Sequence, residues 1–214
     1  MTTVRYKGPR VAFVGAYGNG KTTLTTRLAQ TTGLPRTHGS AMRDPLGASG
    51  KSLEDCGEAE LLQLTVRRFT ERRVGEALLP RGFLSDGSVL HEWVYATVRL
   101  ALGRFPDGHA CLAAVRRSGT RTAFEEVAHQ LGQLALCHAQ ENYDLVVHLP
   151  VEVPLADRPS PISEAFREIS DRLLLDELSR ADIPVHVVAG GHEERLQECR
   201  RLIAACVPPE RGLR

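Results

Sequence analysis

The sequence predicts an α/β fold of three layers, in which a parallel sheet lies between helices. Short apolar segments alternate with longer segments whose apolar residues recur at helical spacing, as in strands joined by crossover helices. A glycine-rich loop at residues 15–22 follows the first apolar segment and precedes the first helical one. A chain of 214 residues, 42% of them hydrophobic, can bury the core of one such domain. We therefore expect residues 1–214 to form a single domain.

Five strands and six long helices are predicted along the chain. Four strands follow from apolar and β-branched content, at residues 10–14, 82–85, 144–149 and 184–189, and a fifth near 34–37 follows from the architecture alone. The first helix follows the glycine-rich loop and ends at Gly33, and the others lie near residues 61–78, 89–102, 122–142, 160–178 and 193–206. Thr122 with Glu125 predicts a capping box, and Ser160 followed by Pro161 predicts the start of the next helix.

The glycine-rich loop has the residue types of a phosphate-binding loop. It fits the complete pattern G-x-x-x-x-G-K-[ST] and reads Gly15-Ala16-Tyr17-Gly18-Asn19-Gly20-Lys21-Thr22. Glycines let the backbone turn its N–H groups towards phosphate oxygens, Lys21 can reach the β- and γ-phosphates, and the Thr22 hydroxyl can bind Mg²⁺. The positive end of the following helix adds to this attraction. We predict nucleoside triphosphate binding by Gly15, Tyr17, Gly18, Asn19, Gly20, Lys21, Thr22 and Thr23.

An acidic residue ends the strand predicted at residues 82–85. Asp86 is followed by Gly87 and Ser88. Because ligands of parallel α/β sheets bind outside the carboxyl ends of the strands, Asp86 can contribute to the shell of Mg²⁺ or accept the proton of an attacking hydroxyl. The structural alternative is that Asp86 or Ser88 only caps the helix that begins near Val89.

With these two elements and the arginine-rich segment 158–172, the chain resembles the P-loop nucleoside and nucleotide kinases over about residues 10–200. It is most similar to the ATPase and kinase group related to the ribosylnicotinamide kinase domain, and more distantly to thymidylate kinase. The resemblance implies a P-loop three-layer sandwich with a five-stranded parallel sheet of order 2-3-1-4-5 and a small helical lid near residues 155–172. It also implies transfer of the γ-phosphoryl group of ATP, with Mg²⁺, to a small-molecule acceptor, and it is compatible with a homodimer.

The chain departs from thymidylate-type kinases after the third strand. Those kinases usually carry Asp-Arg where this chain has Asp86 and Gly87. The arginine that would hold an acceptor phosphate is absent at that point. This departure favours an acceptor that presents an uncharged hydroxyl group over a nucleoside monophosphate.

Candidates for acceptor binding and for closing the site lie in two loops. Arg36 and Arg43 could bind a phosphate or carboxylate, and His38 could hydrogen-bond a sugar or base, although each also fits a solvated polar loop. In the related kinases the segment after the fourth strand closes over the phosphates, and Arg158 is our candidate there. We therefore predict catalytic roles for Lys21, Asp86 and Arg158, and metal binding by Thr22 and Asp86.

Several other polar or aromatic residues have ordinary structural explanations. Arg72 and Arg73 are interpreted as surface charges, although a helix facing the cleft could present one of them. Arg167 and Arg172 fit ion pairs within their helix as well as a lid function. Trp93 is expected to pack in the core.

Composition disfavours several classes of partner and location. A formal net charge of +1 gives no electrostatic argument for nucleic acid or an anionic membrane, and we predict neither as a partner. The start of the chain lacks the apolar region of a signal peptide, and the five scattered cysteines show no C-x-x-C pair. We expect a cytoplasmic protein with reduced thiols.

A second function stays open, namely a nucleotide-hydrolysing switch, an ATPase that regulates a protein partner. Against a GTPase, the sequence has no N-K-x-D motif. Against other ATPases, Gly87 follows Asp86 where a second acidic residue is typical. The acceptor of a kinase is not determined by the fold, because acceptor pockets are built from variable loops.

Overall fold

The computed structural model describes residues 8–37, 55–103, 105–106, 110–115, 122–152, 154–155 and 162–206. Its five strands are β1 (Arg10–Val14), β2 (Arg36–Thr37), β3 (Phe83–Asp86), β4 (Leu145–His148) and β5 (Val185–Val187). They form one parallel sheet in the order β2-β3-β1-β4-β5, which confirms the order that the resemblance implied. Each strand lies within two residues of its predicted bounds.

Seven helices are described, six of them long. They are α1 (Lys21–Thr32), α2 (Glu58–Ala77), α3 (Val89–Leu102), the short α4 (Leu112–Val115), α5 (Ala123–Asn142), α6 (Glu164–Arg180) and α7 (His192–Ala205). The capping box predicted at the start of α5 is confirmed, because Thr122 N–H donates to Glu125 Oε2 over 2.7 Å and Glu125 N–H donates back to Thr122 Oγ1 over 3.2 Å.

The predicted start of α6 is wrong. Ser160 and Pro161 lie outside the described residues, and α6 begins only at Glu164. Its N-cap is Ser163, whose hydroxyl oxygen accepts the N–H of Phe166 over 3.1 Å. Both serines offer the same capping chemistry, so the sequence alone did not separate them.

The central strands β3, β1 and β4 are buried on both faces, as is usual in a parallel sheet. Along the central strand β1, Val11 and Phe13 point into the core that α1 and α7 cover, whereas Ala12 and Val14 point into the core under α3, α5 and α6. These four side chains have no exposed surface. The alternation follows from the two-residue period of a strand, and burial on both faces explains why the strand reads as a continuous apolar run.

The two ends of β1 have different environments. At its start, Asp144 accepts hydrogen bonds from the backbone N–H of Arg10 over 2.8 Å and from its guanidinium over 3.0 and 3.1 Å. At its other end the chain enters the glycine-rich loop at Gly15. Asp144 is therefore at the edge of the sheet opposite the loop and Asp86. No helix among the described residues is both long and apolar enough to cross a membrane.

Helices α3 and α5 pack closely because α5 carries a glycine at their contact. A Cβ built on Gly132 would overlap the indole ring of Trp93, which is buried as predicted. The glycine therefore makes room for the largest side chain of α3.

We predict that Gly132→Ala lowers the free energy of unfolding by about 1–3 kcal/mol, because the indole or one of the helices must shift. Urea denaturation measures the change. The matched control is Gly75→Ala in α2, where a Cβ meets nothing within 4 Å. That substitution should be neutral or stabilise by about 0.5–1 kcal/mol through helix propensity. Equal effects of the two substitutions would contradict the close α3–α5 contact.

Candidate active site

The glycine-rich loop joins the carboxyl end of β1 to the start of α1. Gly15, Gly18 and Gly20 have φ angles of +132°, +79° and +80°, a region that side chains disfavour. A Cβ on Gly15 would also overlap the carbonyl oxygen of Leu149. The glycine positions of the motif are therefore required by the backbone path and by its contact with the segment after β4.

Asn19 holds this loop from within. Its side chain is buried, with Nδ2 donating to the carbonyl oxygen of Leu149 over 2.8 Å and Oδ1 accepting from Arg167 Nη2 over 2.6 Å. Its backbone carbonyl accepts from Arg195 Nη1 over 2.9 Å, and Arg195 in turn pairs with Glu152. The segment after β4 and the helices α6 and α7 thus meet at a single loop residue. Its side chain is engaged within the protein, so the backbone N–H is what this residue can offer to a ligand.

A buried histidine, which the sequence analysis missed, fixes the other end of the loop. His91 Nδ1 accepts the N–H of Ser88 over 3.0 Å, and Nε2 lies 2.8 Å from the carbonyl oxygen of Gly15 and 3.2 Å from its backbone nitrogen. Burial, and then the charges of Lys21 and Arg72, lower the pKa of His91 well below its usual value. The imidazole is therefore neutral. Its one signal in the sequence is its place three residues after the helix-capping Ser88, where capping boxes carry Glu or Gln.

Lys21 is the first residue of α1 and its ammonium group turns back over the loop. Nζ donates to the carbonyl oxygens of Gly15 and Ala16 over 2.8 and 2.6 Å. Burial lowers the pKa of Lys21 to about 8, while the charges of Asp86 and Asp171 raise it. The lysine is thus held at the loop without a carboxylate partner within hydrogen-bonding distance among the described residues.

Asp86 lies at the carboxyl end of β3, paired in register with Phe13 of β1. Its Oδ2 accepts from Arg36 Nη1 over 2.8 Å, and the two side chains are only 10% and 16% exposed. The capping alternative is wrong for Asp86, because Ser88 is the N-cap of α3 and accepts the N–H of Leu90 over 3.2 Å. Asp86 is therefore available for chemistry at the edge of the sheet where the loop lies.

Of the two adjacent arginines on α2, one faces the site. The interpretation of Arg72 as a surface charge is wrong: its side chain is only 10% exposed, Nε donates to Glu92 Oε1 over 2.9 Å and Nη1 donates to the carbonyl oxygen of Asp86 over 2.9 Å. Arg73 is exposed, as expected, with its guanidinium 5.8 Å from the ring centroid of Phe69. Adjacent helical residues point about 100° apart, so one of them reaches the cleft.

Helix α6 presents a charged face to the loop. Arg167, at its first turn, is fully buried and bonds Asn19, whereas Arg172 is exposed. One turn after Arg167, Asp171 pairs with the buried His148 at the end of β4, with oxygens 3.0 Å from Nε2. The lid segment predicted at residues 155–172 therefore includes two turns of a packed helix.

The other predicted site residues divide between the surface and the segments outside the description. Tyr17, Thr22 and Thr23 are exposed around the loop. His38, Arg43 and Arg158 lie outside the described residues. Among the residues that are described, no three His, Cys, Asp or Glu side chains form a group that could hold a metal ion by themselves. The Thr22 hydroxyl and the Asp86 carboxylate are nevertheless oxygen donors of the kind Mg²⁺ prefers, and Mg²⁺ usually takes few protein ligands beside phosphates and water.

Comparisons with known proteins agree with this geometry. The family model described as AAA_28, an AAA domain, matches residues 10–195. Deoxyadenosine kinase from M. mycoides with bound dATP aligns with a TM-score of 0.64 at 12% identity, over 91% of this chain and 99% of that chain. Thymidylate kinase from Candida albicans aligns with a TM-score of 0.54 at 14% identity, over 93% and 92% of the two chains. No curated protein sequence gives a significant match.

NadR in complex with NAD and AMP-PNP is a third similar structure. It aligns with a TM-score of 0.60 at 17% identity, over 97% of this chain and 51% of that chain, so this chain spans about half the length of NadR. At these identities the structural likeness shows the fold. Since the AAA_28 model extends from β1 into α7, the chain belongs to this AAA domain family, and its fold is that of the P-loop nucleoside and nucleotide kinases.

Proposed function

We propose that this protein is a small-molecule kinase, which transfers the γ-phosphoryl group of ATP to a hydroxyl group of a nucleoside-like or related metabolite. One observation carries the proposal. Asp86 is largely buried at the carboxyl end of the strand beside β1, does not cap a helix, and is close enough to Lys21 for its charge to raise the pKa of that lysine. An acid and the lysine of the loop thereby lie at the same edge of the sheet, where the proposal has them act together.

In this proposal each residue acts on charge or position. Lys21 and the loop N–H groups neutralise the phosphates, and they do so in place, because Asn19 and His91 already hold the loop. Asp86 orients the acceptor hydroxyl and accepts its proton. Arg36 bonds Oδ2 of Asp86, and Oδ1 accepts no hydrogen bond from a described residue, which leaves it for the acceptor. The Thr22 hydroxyl and Asp86 would hold Mg²⁺, which would further neutralise the charge of the phosphates.

The remaining sequence-based expectations belong to the same proposal. Arg158 in a lid over residues 155–172 would cover the phosphates, and Arg36, His38 and Arg43 would contact the acceptor. ATP is the proposed phosphoryl donor. We further propose a single-domain cytoplasmic protein, compatible with a homodimer, whose partner is a small molecule and neither nucleic acid nor a membrane.

The second candidate is an ATP-hydrolysing switch that acts on a protein partner. Membership in an AAA domain family favours it, and Asp86 can orient a water molecule as readily as a hydroxyl group. The two candidates differ in their dependence on an acceptor. We would measure ADP formation from Mg-ATP alone and with nucleosides, nucleotides, nicotinamide riboside and amino sugars. Strong stimulation by one class establishes the kinase and its acceptor; slow hydrolysis that no compound stimulates favours the switch.

We expect Lys21→Ala to abolish phosphoryl transfer, because the loop loses the cation that reaches the phosphates. ADP formation under saturating substrate measures the loss. The control on the same helix is Arg27→Ala, which removes only an exposed ion pair with Glu193. Turnover of the Lys21 variant close to that of the unaltered protein would overturn the assignment of the loop.

We expect Asp86→Asn to retain the fold and nucleotide binding but to lose about 10²-fold or more in kcat, the scale of lost proton acceptance or charge stabilisation. Steady-state kinetics and thermal unfolding test the two parts separately. Asp144→Asn, at the opposite edge of the sheet, is the matched control and should leave kcat unchanged. An Asp86 variant with nearly unaltered kcat would show that this carboxylate is structural.

We also expect the affinity for ATP to depend on pH. Only the protonated form of Lys21 attracts phosphate, and burial lowers its pKa to about 8. The dissociation constant should therefore be constant below that pH and rise above it, by up to about tenfold per pH unit. Calorimetric titration between about pH 7 and pH 10 measures it. Lys21→Arg keeps its charge over this range and should give a flat profile; a flat profile for lysine would contradict the lowered pKa.

A further inference from the structure

The guanidinium group of Arg72 lies directly against the position that a Cβ at residue 87 would take. A Cβ built on Gly87 would lie 3.2 Å from Arg72 Nη2 and 3.5 Å from Nη1. Gly87 also has a φ of +75°, which disfavours any other residue. The chain therefore places an arginine from α2 at the carboxyl end of β3, where its own β3 segment has no side chain.

Only one side of this guanidinium is engaged within the protein. Nε donates to Glu92 and Nη1 donates to the carbonyl oxygen of Asp86. Arg72 Nη2 donates no hydrogen bond to any residue that the structure describes. The group is thus fixed in orientation by two elements while two N–H donors remain directed away from them.

Arg72 lies among both acidic and basic side chains. Arg68, one turn earlier on α2, and Arg72 both interact electrostatically with Glu92, and Arg72 is also attracted by Asp86. The charge of Arg72 also lowers the pKa of Lys21 and of His91, which places the guanidinium close to the loop. A fixed planar cation with free donors beside a phosphate-binding loop is suited to phosphoryl oxygens.

We propose that Arg72 binds a phosphoryl group through Nη2 at the carboxyl end of β3. The inference rests on the proposed function and names a further binding residue for it. The phosphoryl oxygens have two sources: the group in transfer from ATP, or a phosphate carried by the acceptor. In either case Gly87 is the position that admits the arginine, and the absence of an arginine at residue 87 no longer argues for an uncharged acceptor.

The experiment compares the binding of Mg-ADP with and without aluminium fluoride, which mimics the phosphoryl group in transfer. In the unaltered protein the fluoride should tighten ADP binding. Arg72→Gln should reduce that tightening by about 10- to 100-fold, the scale of one lost charged hydrogen bond, and leave the affinity for ADP alone unchanged. Arg73→Gln, on the exposed side of the same helix, is the matched control and should change neither quantity.

A second variant keeps Arg72 and changes only residue 87, against which its guanidinium group packs. Gly87→Ala places a methyl group against Nη2 and should reduce the same tightening, with thermal unfolding of both variants measured in parallel.

The outcomes separate the two sources of the phosphoryl group. If the fluoride effect survives in Arg72→Gln but a nucleoside monophosphate binds more weakly while its nucleoside does not, the phosphoryl group is that of the acceptor. The proposal is wrong if Arg72→Gln changes neither the fluoride effect nor the affinity for the nucleoside monophosphate. It is also wrong if Arg72→Gln lowers the affinity for ADP alone by the same factor as the affinity for ADP with fluoride. An unaltered protein that binds no ADP would overturn the proposed function as well.

Discussion

The glycine-rich loop at residues 15–22 depends on one interaction, the bonding of the buried Asn19 to the parts of the chain around it. Its amide bonds the carbonyl oxygen of Leu149 and the guanidinium of Arg167, while its own carbonyl accepts from Arg195. Three separate parts of the chain therefore depend on one loop residue. The bonds are made away from solvent, where an unsatisfied polar group is costly, so the loop and the three elements stabilise one another's positions.

Charge in the cleft is balanced by pairs in which each arginine fixes an acid. Arg36 holds the side chain of Asp86, and Arg72 holds its backbone carbonyl and the side chain of Glu92. Such pairing orients the carboxylates although they are largely buried. His91 contributes the opposite property, since it is neutral and adds a hydrogen bond to the loop without adding a positive charge beside Lys21.

Most of the fold was predictable from the sequence, because strand content, helical spacing and glycine stops are local signals. The loop residues and the position of Asp86 were predictable for the same reason. The scaffold of the site was not. Arg195 bonds a residue 176 positions away, and no local pattern predicts such a contact. Residues 72 and 73 are both arginine, and they differ in the direction in which their side chains point from α2. The N-cap of α6 is Ser163, and by residue type Ser160 offers the same capping chemistry.

Gly87 shows why the absence of a motif residue is weak evidence about chemistry. In the sequence, a glycine after Asp86 removes an arginine and thereby argues against an anionic group at that point. In three dimensions the same glycine opens the space into which Arg72 reaches from α2. The local sequence shows only that position 87 has no side chain, whereas function depends on which guanidinium group lies at the carboxyl end of β3. The residue type at position 87 does not determine which guanidinium group lies there, because the carboxyl end of β3 is accessible to side chains from helices on either side of it. Charge at an active site is therefore a property of the assembled cleft, and residue 87 contributes to it by having no side chain.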